Sequence, residues 1–176
     1  MPGSVIVVNG PSSSGKSTLC RAAQRLLPRP FLFHSFDAVL FGDVLPRGAD
    51  GRLREWETLR PRVVDGFIRS IRAVAEADND VVVELIIEDR AMAQRLHDQM
   101  RGLDVFWVGL HVSIEELERR EAERGDRPVG DARRDLEVVH SFRRYDLDLD
   151  ADRPVEEAAH ALVDAWQHRR SVPPDG

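Results

Sequence analysis

The chain has 176 residues, of which 42% are hydrophobic and 32% are charged, and its formal net charge is −6. This length and composition predict one folded domain with a sizeable core and argue against disorder. The negative charge argues against a dedicated nucleic-acid-binding or membrane-surface protein. The lone cysteine excludes an internal disulfide, and the lack of a signal peptide or long apolar stretch predicts a cytoplasmic protein.

The chain begins with a predicted strand, a glycine-containing loop and a helix. Ser4–Asn9 is an apolar, β-branched run of strand length, and apolar residues recur at helical spacing between the loop and Pro28. The loop matches the phosphate-binding pattern G-x-x-x-x-G-K-[ST]. Its residues are Gly10, Pro11, Ser12, Ser13, Ser14, Gly15, Lys16, Ser17 and Thr18. A strand, this loop and a helix N-terminus form an anion site, so the sequence predicts nucleoside triphosphate binding.

Lys16 is the only lysine of the chain, and every other cationic side chain is arginine. A lysine ammonium is a compact charge on a slim stem, whereas the arginine fork is wide and planar. The single lysine therefore stands where a small cation must reach phosphate from inside a loop. Ser17 follows it, and its hydroxyl is predicted to bind Mg²⁺. A serine-rich turn that fits the pattern by chance is the alternative, and the flanking strand and helix argue against it.

The rest of the chain alternates apolar strand patterns with helical patterns. The further predicted strands are Phe31–Phe36, Val81–Ile86, Asp104–Val112 and Tyr145–Asp150. Their nearly continuous hydrophobicity predicts a parallel sheet covered on both faces. Between them, Pro61 is predicted to open one helix, and Ser113 with Glu116 forms a capping box for the next. Pro154 is predicted to open the last helix, and residues 171–176 are predicted to be a flexible tail.

Two segments are predicted to be functional loops instead of packed elements. Residues 42–57 contain three glycines, a proline and scattered charges, and structureless loops of this length are usually functional. Residues 124–131 are punctuated by glycine and carry arginines. Trp56, near the end of the first segment, is either a wall for a substrate or a core anchor, and the sequence does not decide between them.

Acidic residues follow or interrupt the predicted strands near their carboxyl ends, where parallel α/β sheets bind ligands. Asp37 comes just after the second strand, where a catalytic role competes with N-capping of a short helix. Glu84 lies inside the third strand, and an acid in an apolar strand is rarely buried without a partner. Glu88 and Asp89 come shortly after it and are interpreted as helix caps or substrate contacts, with caps favoured. Six histidines show no metal-binding spacing.

A series of short motifs runs along nearly the whole chain: Gly15-Lys16-Ser17-Thr18, Asp37, Arg120-Glu121, Arg124-Gly125-Asp126-Arg127, Gly130, Val139-His140 and Tyr145-Asp146. Through these positions the chain resembles the chloramphenicol phosphotransferase family. The resemblance implies a three-layer α/β P-loop fold of the adenylate kinase type, with a five-stranded parallel sheet of order 2-3-1-4-5 and a small lid. It also implies transfer of phosphate from ATP, with Mg²⁺, to a hydroxyl of a small molecule, and an antibiotic is among the candidate acceptors.

The resemblance assigns roles to individual residues. It implies that Asp37 is the general base, that Lys16 and Arg127 assist catalysis, and that Arg124 and Arg127 contact the triphosphate. Arg120 shares a partly helical spacing with these two arginines and is expected to bind nucleotide with them, whereas spacing alone also fits a solvated helix face. Glu84 occupies the place where the family usually has an aspartate that holds Mg²⁺ through water, so metal geometry is expected to differ.

These expectations divide the chain into one kinase domain, residues 1–170, with a lid at about 120–131 and a substrate-side segment at about 38–60. A metabolic kinase of the nucleoside, shikimate or gluconate type is the alternative on the same scaffold. A nucleotide-binding switch protein is the alternative outside enzymes, but its Asn-Lys-x-Asp motif needs a second lysine that the chain lacks. A polynucleotide kinase would require a basic groove, which the net charge disfavours.

Overall fold

Five parallel strands form one sheet in the order β2-β3-β1-β4-β5 in the computed structural model, which describes residues 1–124, 136 and 138–169. The strands are β1 Val5–Asn9, β2 Phe31–Ser35, β3 Asp80–Leu85, β4 Val105–His111 and β5 Leu147–Asp150. The predicted strands and their order are therefore confirmed, with ends that differ by one or two residues. The order places β2 two positions from the loop-bearing strand β1.

Helices cover both faces of this sheet, as the apolar strands require. In the described residues they are α1 Lys16–Leu26, α2 Phe36–Phe41, α3 Trp56–Glu76, α4 Arg90–Met100, α5 Ile114–Arg124 and α6 Val155–His168. One core cluster joins α1 and α6 to the sheet, and a second joins α3 and α4 to its other face. None of the described helices has the length and apolarity that a membrane crossing needs.

The α3 helix begins at Trp56, so the prediction that Pro61 opens it is wrong. Proline is tolerated best in the first turn of a helix, and Pro61 lies just beyond that turn, where it removes only one backbone hydrogen bond. Glu55 precedes the helix with a left-handed φ of 52°. The substrate-side segment before it is partly ordered, because Arg47 and Leu53 form an antiparallel bridge. Two residues predicted as loop, Trp56 and Glu57, therefore belong to α3.

Helix starts elsewhere follow the predicted capping in part. Ser113 Oγ accepts a hydrogen bond from Glu116 N at 3.3 Å, which is one half of the capping box. The Glu116 carboxylate does not complete the box and instead accepts hydrogen bonds from arginines of α5. Pro154 is the N-cap of α6, as predicted. The tail, residues 171–176, and most of the predicted lid lie outside the described residues.

Tyr145 and Asp146 lock the entry to β5 against the centre of the sheet. Asn9, at the end of β1, donates from Nδ2 to the Tyr145 hydroxyl at 2.6 Å and to Val139 O at 2.9 Å. Asp146 Oδ2 accepts from Trp107 N at 2.7 Å. A Cβ at Gly109 would lie 2.4 Å from the Tyr145 ring, so the ring requires glycine beneath it. These residues connect the P-loop strand to the chain that follows the predicted lid.

The amino ends of the strands are closed by a group of arginines around Trp166. The guanidinium carbons of Arg29 and Arg169 lie 5.4 Å and 4.3 Å from its ring centroid. Arg29 Nη2 also donates to Asp80 at 3.0 Å, and Arg169 forms an ion pair with Asp104. Because Asp80 begins β3 and Asp104 precedes β4, this arginine–tryptophan group ties α6 to the edge of the sheet opposite the P-loop.

Candidate active site

The loop between β1 and α1 has the backbone of an anion site. Ser13 and Gly15 have left-handed φ angles of 61° and 92°, and left-handed residues are typical of backbone loops that bind anions through N–H groups. At Gly15 such a φ is strained for any residue with a Cβ. Lys16 Nζ donates to the carbonyl oxygens of Gly10 at 2.9 Å and Pro11 at 2.6 Å. The ammonium is thus held inside the loop, as the single lysine predicts.

The hydroxyl of Ser14 is a further feature of the loop that favours a bound ligand. Its Oγ is buried and has no hydrogen-bond partner within the described part of the chain. A buried polar atom without a partner is unfavourable, and a ligand that supplies one relieves the cost. Together with the loop backbone and the lysine ammonium, this hydroxyl fits a phosphate chain.

Glu84 is buried at the floor of the site, with 4% of its surface exposed. Its Oε2 accepts a hydrogen bond from Ser17 Oγ at 2.6 Å, and its Oε1 accepts one from Ser35 Oγ. The sequence expectation that this acid has a partner is confirmed. Ser35 and Glu84 face each other in the β2–β3 register, and Val8 of β1 faces Glu84 on the other side. The carboxylate therefore spans from the P-loop to the end of β2.

The oxygens of Ser17 and Glu84 are the donor type that Mg²⁺ prefers. Among the described residues no group of three or more His, Cys, Asp or Glu side chains could hold a metal ion. A magnesium ion at this point would thus complete its shell with phosphate oxygens and water, which is its usual mode in kinases. The residues present fit Mg²⁺ carried in with a nucleotide.

Asp37 lies in the first turn of α2, directly after β2. The N-cap of this helix is Ser35, whose Oγ accepts from Ala38 N at 3.2 Å. The alternative interpretation of Asp37 as the N-cap is therefore wrong. Asp37 instead lines the main cavity of the described chain, together with Lys16 and Glu84.

The main cavity has a volume of about 690 Å³ and runs from the P-loop to α3 and α4. Its phosphate end is lined by Ser12, Ser13, Gly15, Lys16, Ser17, Thr18 and Arg120. Its other end has an apolar wall of Phe36, Leu40, Phe41, Trp56, Val64, Ile86 and Met92, with the charged side chains of Asp37, Arg60 and Glu88 among them. Trp56 is half-buried in this wall. Its position supports the substrate-wall interpretation over that of a core anchor.

Arg120 bridges the P-loop and the chain that follows β5. Its Nη1 donates to Ser14 O at 2.9 Å and its Nη2 donates to Ala151 O at 2.8 Å. Glu116 Oε1 accepts from Arg120 Nε at 2.7 Å. Hydrogen bonds from Arg119 and Arg120 lower the pKa of Glu116 to about 2, so the acid stays ionised and holds the guanidinium in place.

A second cavity of about 290 Å³ adjoins the first, with Arg120 on its wall. Ser14, Gly15 and Thr18 form its P-loop side, and Leu110, Ala151 and Arg153 line it from β4 and the chain after β5. Apolar side chains beside an arginine, next to a phosphate loop, have the chemistry to bind a planar base.

The predicted arginines are only partly described. Arg124 is the last residue of α5, on the same helix as Arg120 and one turn beyond it. Arg127 lies outside the described residues. The contribution of both side chains to the site stays a prediction.

Arg60 and Glu88 form an ion pair on the cavity wall. The sequence leaves a substrate contact open for Glu88, but it predicts neither Arg60 nor the pair. The expectation that Glu88 is a helix cap is wrong, because Asp89 is the N-cap of α4 and accepts from Met92 N at 2.7 Å. The pair joins α3 to the chain before α4, residues 28 positions apart. No local pattern indicates such a contact.

His140 lies beside the Asn9–Tyr145 contact, with Nδ1 2.9 Å from the Tyr145 hydroxyl and its ring stacked on His111 at 4.0 Å. Burial, and secondarily the neighbouring His111, lower the pKa of His140 to about 4. His140 is therefore neutral at physiological pH. Val139 and Tyr145 thus brace the P-loop strand, with His140 behind the Tyr145 hydroxyl, and Asp146 braces the neighbouring strand β4.

Comparison with known proteins agrees with this geometry. The family described as chloramphenicol phosphotransferase-like protein matches residues 3–167. A Mycobacterium tuberculosis protein named "Putative O-phosphotransferase" is 32% identical over 94% of this chain and 83% of its own length.

Solved structures show the same fold at lower identity. The Mycobacterium tuberculosis APS kinase in complex with AMPPNP and APS has a TM-score of 0.64 and 22% identity, over 94% of this chain and 98% of its own. The Deinococcus radiodurans tunicamycin resistance protein has a TM-score of 0.67 and 19% identity, over 98% and 99% of the two chains. The chain belongs to the chloramphenicol phosphotransferase-like family.

Proposed function

We propose that this protein uses ATP and Mg²⁺ to phosphorylate a hydroxyl of a small, largely apolar molecule, with an antibiotic as the leading candidate. Family and fold together make the chain a small-molecule kinase of the O-phosphotransferase type. The proposed acceptor and mechanism rest on one observation: Asp37, Lys16, Ser17 and Glu84 line the same cavity, and Ser17 is hydrogen-bonded to Glu84. Because the reaction consumes ATP, the proposal also places the protein in the cytoplasm.

Asp37 is the general base of this proposal. The β2 strand that precedes it lies two strands from β1, a separation of about 10 Å at roughly 4.8 Å per strand. That gap accommodates an acceptor hydroxyl and the phosphoryl group between the carboxylate and the P-loop. Asp37 orients the hydroxyl and accepts its proton as the oxygen attacks the terminal phosphorus.

Lys16 and the arginines stabilise the charge of the phosphoryl group. On nucleotide binding, the Lys16 ammonium exchanges its contacts with Gly10 O and Pro11 O for phosphate oxygens, which are stronger acceptors. Arg120 approaches the phosphates from α5, where Glu116 holds it. Mg²⁺, held by Ser17 and Glu84, would supply further neutralisation of the phosphates.

We extend the site to the predicted lid, residues 120–131. Arg120 already bonds to the P-loop, and Arg124 lies one turn further along the same helix. Arg124 and Arg127 are proposed to close on the triphosphate, with charge-assisted hydrogen bonds as the driving force. Hydrogen exchange of this segment should slow on binding of an ATP analogue, and equal exchange with and without nucleotide would remove the lid from the proposal.

The charges at the acceptor end favour a substrate without an anionic group. Arg60 is the cation described at that end, and it is already paired with Glu88. Asp37 adds a further negative charge to the same cavity. Among the described residues of that end, a sulfate, carboxylate or phosphate would find no cation without an acidic partner and would meet like charge, which is unfavourable. An apolar alcohol instead matches the aromatic wall of Phe36, Phe41 and Trp56.

A panel of acceptors tests this proposal. ATP consumption and mass detection of the phosphorylated product would be measured with neutral aromatic alcohols, including chloramphenicol and nucleosides, and with the acids shikimate and gluconate. Phosphate adducts are expected on neutral alcohols and not on the acids. Selective phosphorylation of an acid would refute the acceptor assignment while leaving the kinase activity intact, and ATP binding without any adduct would refute the kinase proposal.

A further inference from the structure

The hydroxyl of Ser35 occupies the junction between the metal side and the base side of the site. It donates to Glu84 Oε1 and accepts from Ala38 N at 3.2 Å, so its proton and an acceptor site are both engaged. Ser35 is 7% exposed and therefore has little access to water. Through these two contacts the Ser35 hydroxyl joins the Glu84 carboxylate to the first turn of α2.

The α2 helix packs on the core through Phe36 and Val39, and the Phe36 ring meets the Phe67 ring of α3 at 5.1 Å, but its N-terminal cap is the Ser35 hydroxyl. The helix spans Phe36–Phe41, and none of its residues is buried. A helix of this length is not stable by itself and depends on its cap and its contacts. Asp37 lies in its first turn, so the direction of α2 at its start decides where the carboxylate lies in the cavity.

Glu84 holds the other end of this connection. Its second oxygen accepts from Ser17 Oγ at 2.6 Å, so one carboxylate contacts the P-loop helix and the cap of α2 together. An aspartate at this position would be one methylene shorter and would have to give up one of the two contacts or move a strand. The extra length of Glu84 thus has a structural use.

We infer that Ser35 is a positioning residue that, through its hydrogen bond to Glu84, holds Asp37 in register with the P-loop for phosphoryl transfer. This inference rests on the proposed function, in which Asp37 is the general base. Ser35 does not touch substrate in this arrangement. It acts by fixing the start of α2, and a displacement of the base by about 1 Å is enough to slow transfer by up to about 10²-fold.

The test compares Ser35→Ala, which removes both contacts, with Ser35→Thr, which keeps a hydroxyl at the same place. Ser35→Ala is expected to lower kcat by about 10- to 100-fold with KM for ATP changed by less than about threefold. Ser35→Thr should restore most of the rate. Hydrogen exchange of the amides of residues 36–42 should accelerate in Ser35→Ala and not in Ser35→Thr, independently of activity.

A matched control separates positioning from loss of a helix cap. Asp89 caps α4 with a 2.7 Å hydrogen bond but contacts neither Asp37 nor Glu84 in the hydrogen bonds of the described residues. Asp89→Ala should lower thermal stability with little change in kcat. If Ser35→Ala does not fold, Ser35→Gly serves in its place, because glycine is tolerated at N-cap positions while lacking the hydroxyl.

The decisive arm repeats Ser35→Ala in an Asp37→Asn background. If Ser35 acts through Asp37, its removal should cause little further loss there, because the effects of residues that act as a unit do not add. An equal loss of kcat in both backgrounds, or an unchanged kcat in the single variant, overturns the inference. Failure of the wild-type protein to phosphorylate any acceptor is a separate result, which refutes the proposed function before Ser35 is tested.

Discussion

Replacing Asp37 by asparagine should separate chemistry from stability more cleanly than any other change at this site. Asparagine has nearly the same shape as aspartate but cannot accept the acceptor proton as a base. The loss of a general base costs about 10²–10⁴-fold in rate, or about 3–5 kcal/mol of transition-state stabilisation. Ser35, not Asp37, caps α2, so the helix keeps its N-terminal hydrogen bond in the variant.

The cost to the fold should be much smaller. Asp37 contributes to α2 through its charge in the first turn, an effect of about 0.3–1 kcal/mol. For a domain of this size that amounts to a melting temperature lower by at most about 4 °C. Stability by thermal melting, ATP affinity by calorimetry and kcat by coupled assay would be measured on the same preparation. Asp43→Asn, an exposed acid just beyond α2, is the matched control and should leave all three unchanged.

The reasoning fails if Asp37→Asn unfolds at far lower temperature while the folded fraction keeps its kcat. It also fails if kcat and ATP affinity fall by the same factor, because a base that acts only on the acceptor hydroxyl does not contribute to nucleotide binding. Either result would make Asp37 a structural or nucleotide-binding residue.

Three further predictions concern the loop, the sheet and the pH dependence of stability. Lys16→Arg should reduce kcat by about 10²-fold or more despite conserving charge, because the guanidinium does not fit inside the loop; near-normal turnover contradicts this. Gly109→Ala should destabilise the protein by about 1–3 kcal/mol in chemical denaturation, since its Cβ would lie 2.4 Å from the Tyr145 ring, whereas Gly66→Ala in the open surface of α3 should not destabilise it. His140 has a pKa lowered from 6.5 to about 4 in the folded protein, so the unfolded chain takes up its proton first and stability falls as pH drops through that window. Allowing for partial exposure, His140→Gln should remove roughly 1–2 kcal/mol of that pH dependence, and an unchanged pH profile would contradict the assignment.

The sequence predicted those parts of the fold that depend on local pattern. The five apolar runs predicted the strands, and Gly10–Thr18 predicted the phosphate loop. Each of these patterns is made of residues that are adjacent in the sequence, so it can be recognised without knowing the fold. The strand order and the position of Asp37 beside the P-loop came from the family resemblance. These expectations agree with the sheet and cavity of the structure.

Contacts between distant segments could not be predicted in this way. By its local pattern Ser35 is an ordinary strand residue. Its hydrogen bond to Glu84 depends on the pairing of β2 with β3, which sets the two residues opposite each other. By its local pattern Arg60 is a solvated helix residue. Only the packing of α3 against the chain before α4 brings it to Glu88, with which it forms an ion pair. The sequence predicts too late a start for α3 because proline is common in the first turn of a helix. In the structure the helix already begins before Pro61, where Glu55 O accepts hydrogen bonds from Thr58 N and Leu59 N.

The arginine–tryptophan group at the amino ends of the strands has a consequence for how this enzyme can diverge. Arg29, Arg169 and Trp166 fasten the last helix to the sheet on the side away from the cavity. The wall of the acceptor end, by contrast, comes largely from α2 and the start of α3, on either side of the Arg47–Leu53 bridge, and Phe41 there is 61% exposed. Residues of that wall can therefore be exchanged for others at small cost to the anchored half of the molecule. A single scaffold of this kind can acquire a new acceptor by changing a few side chains around Phe41 while the phosphate loop and its bracing stay as they are.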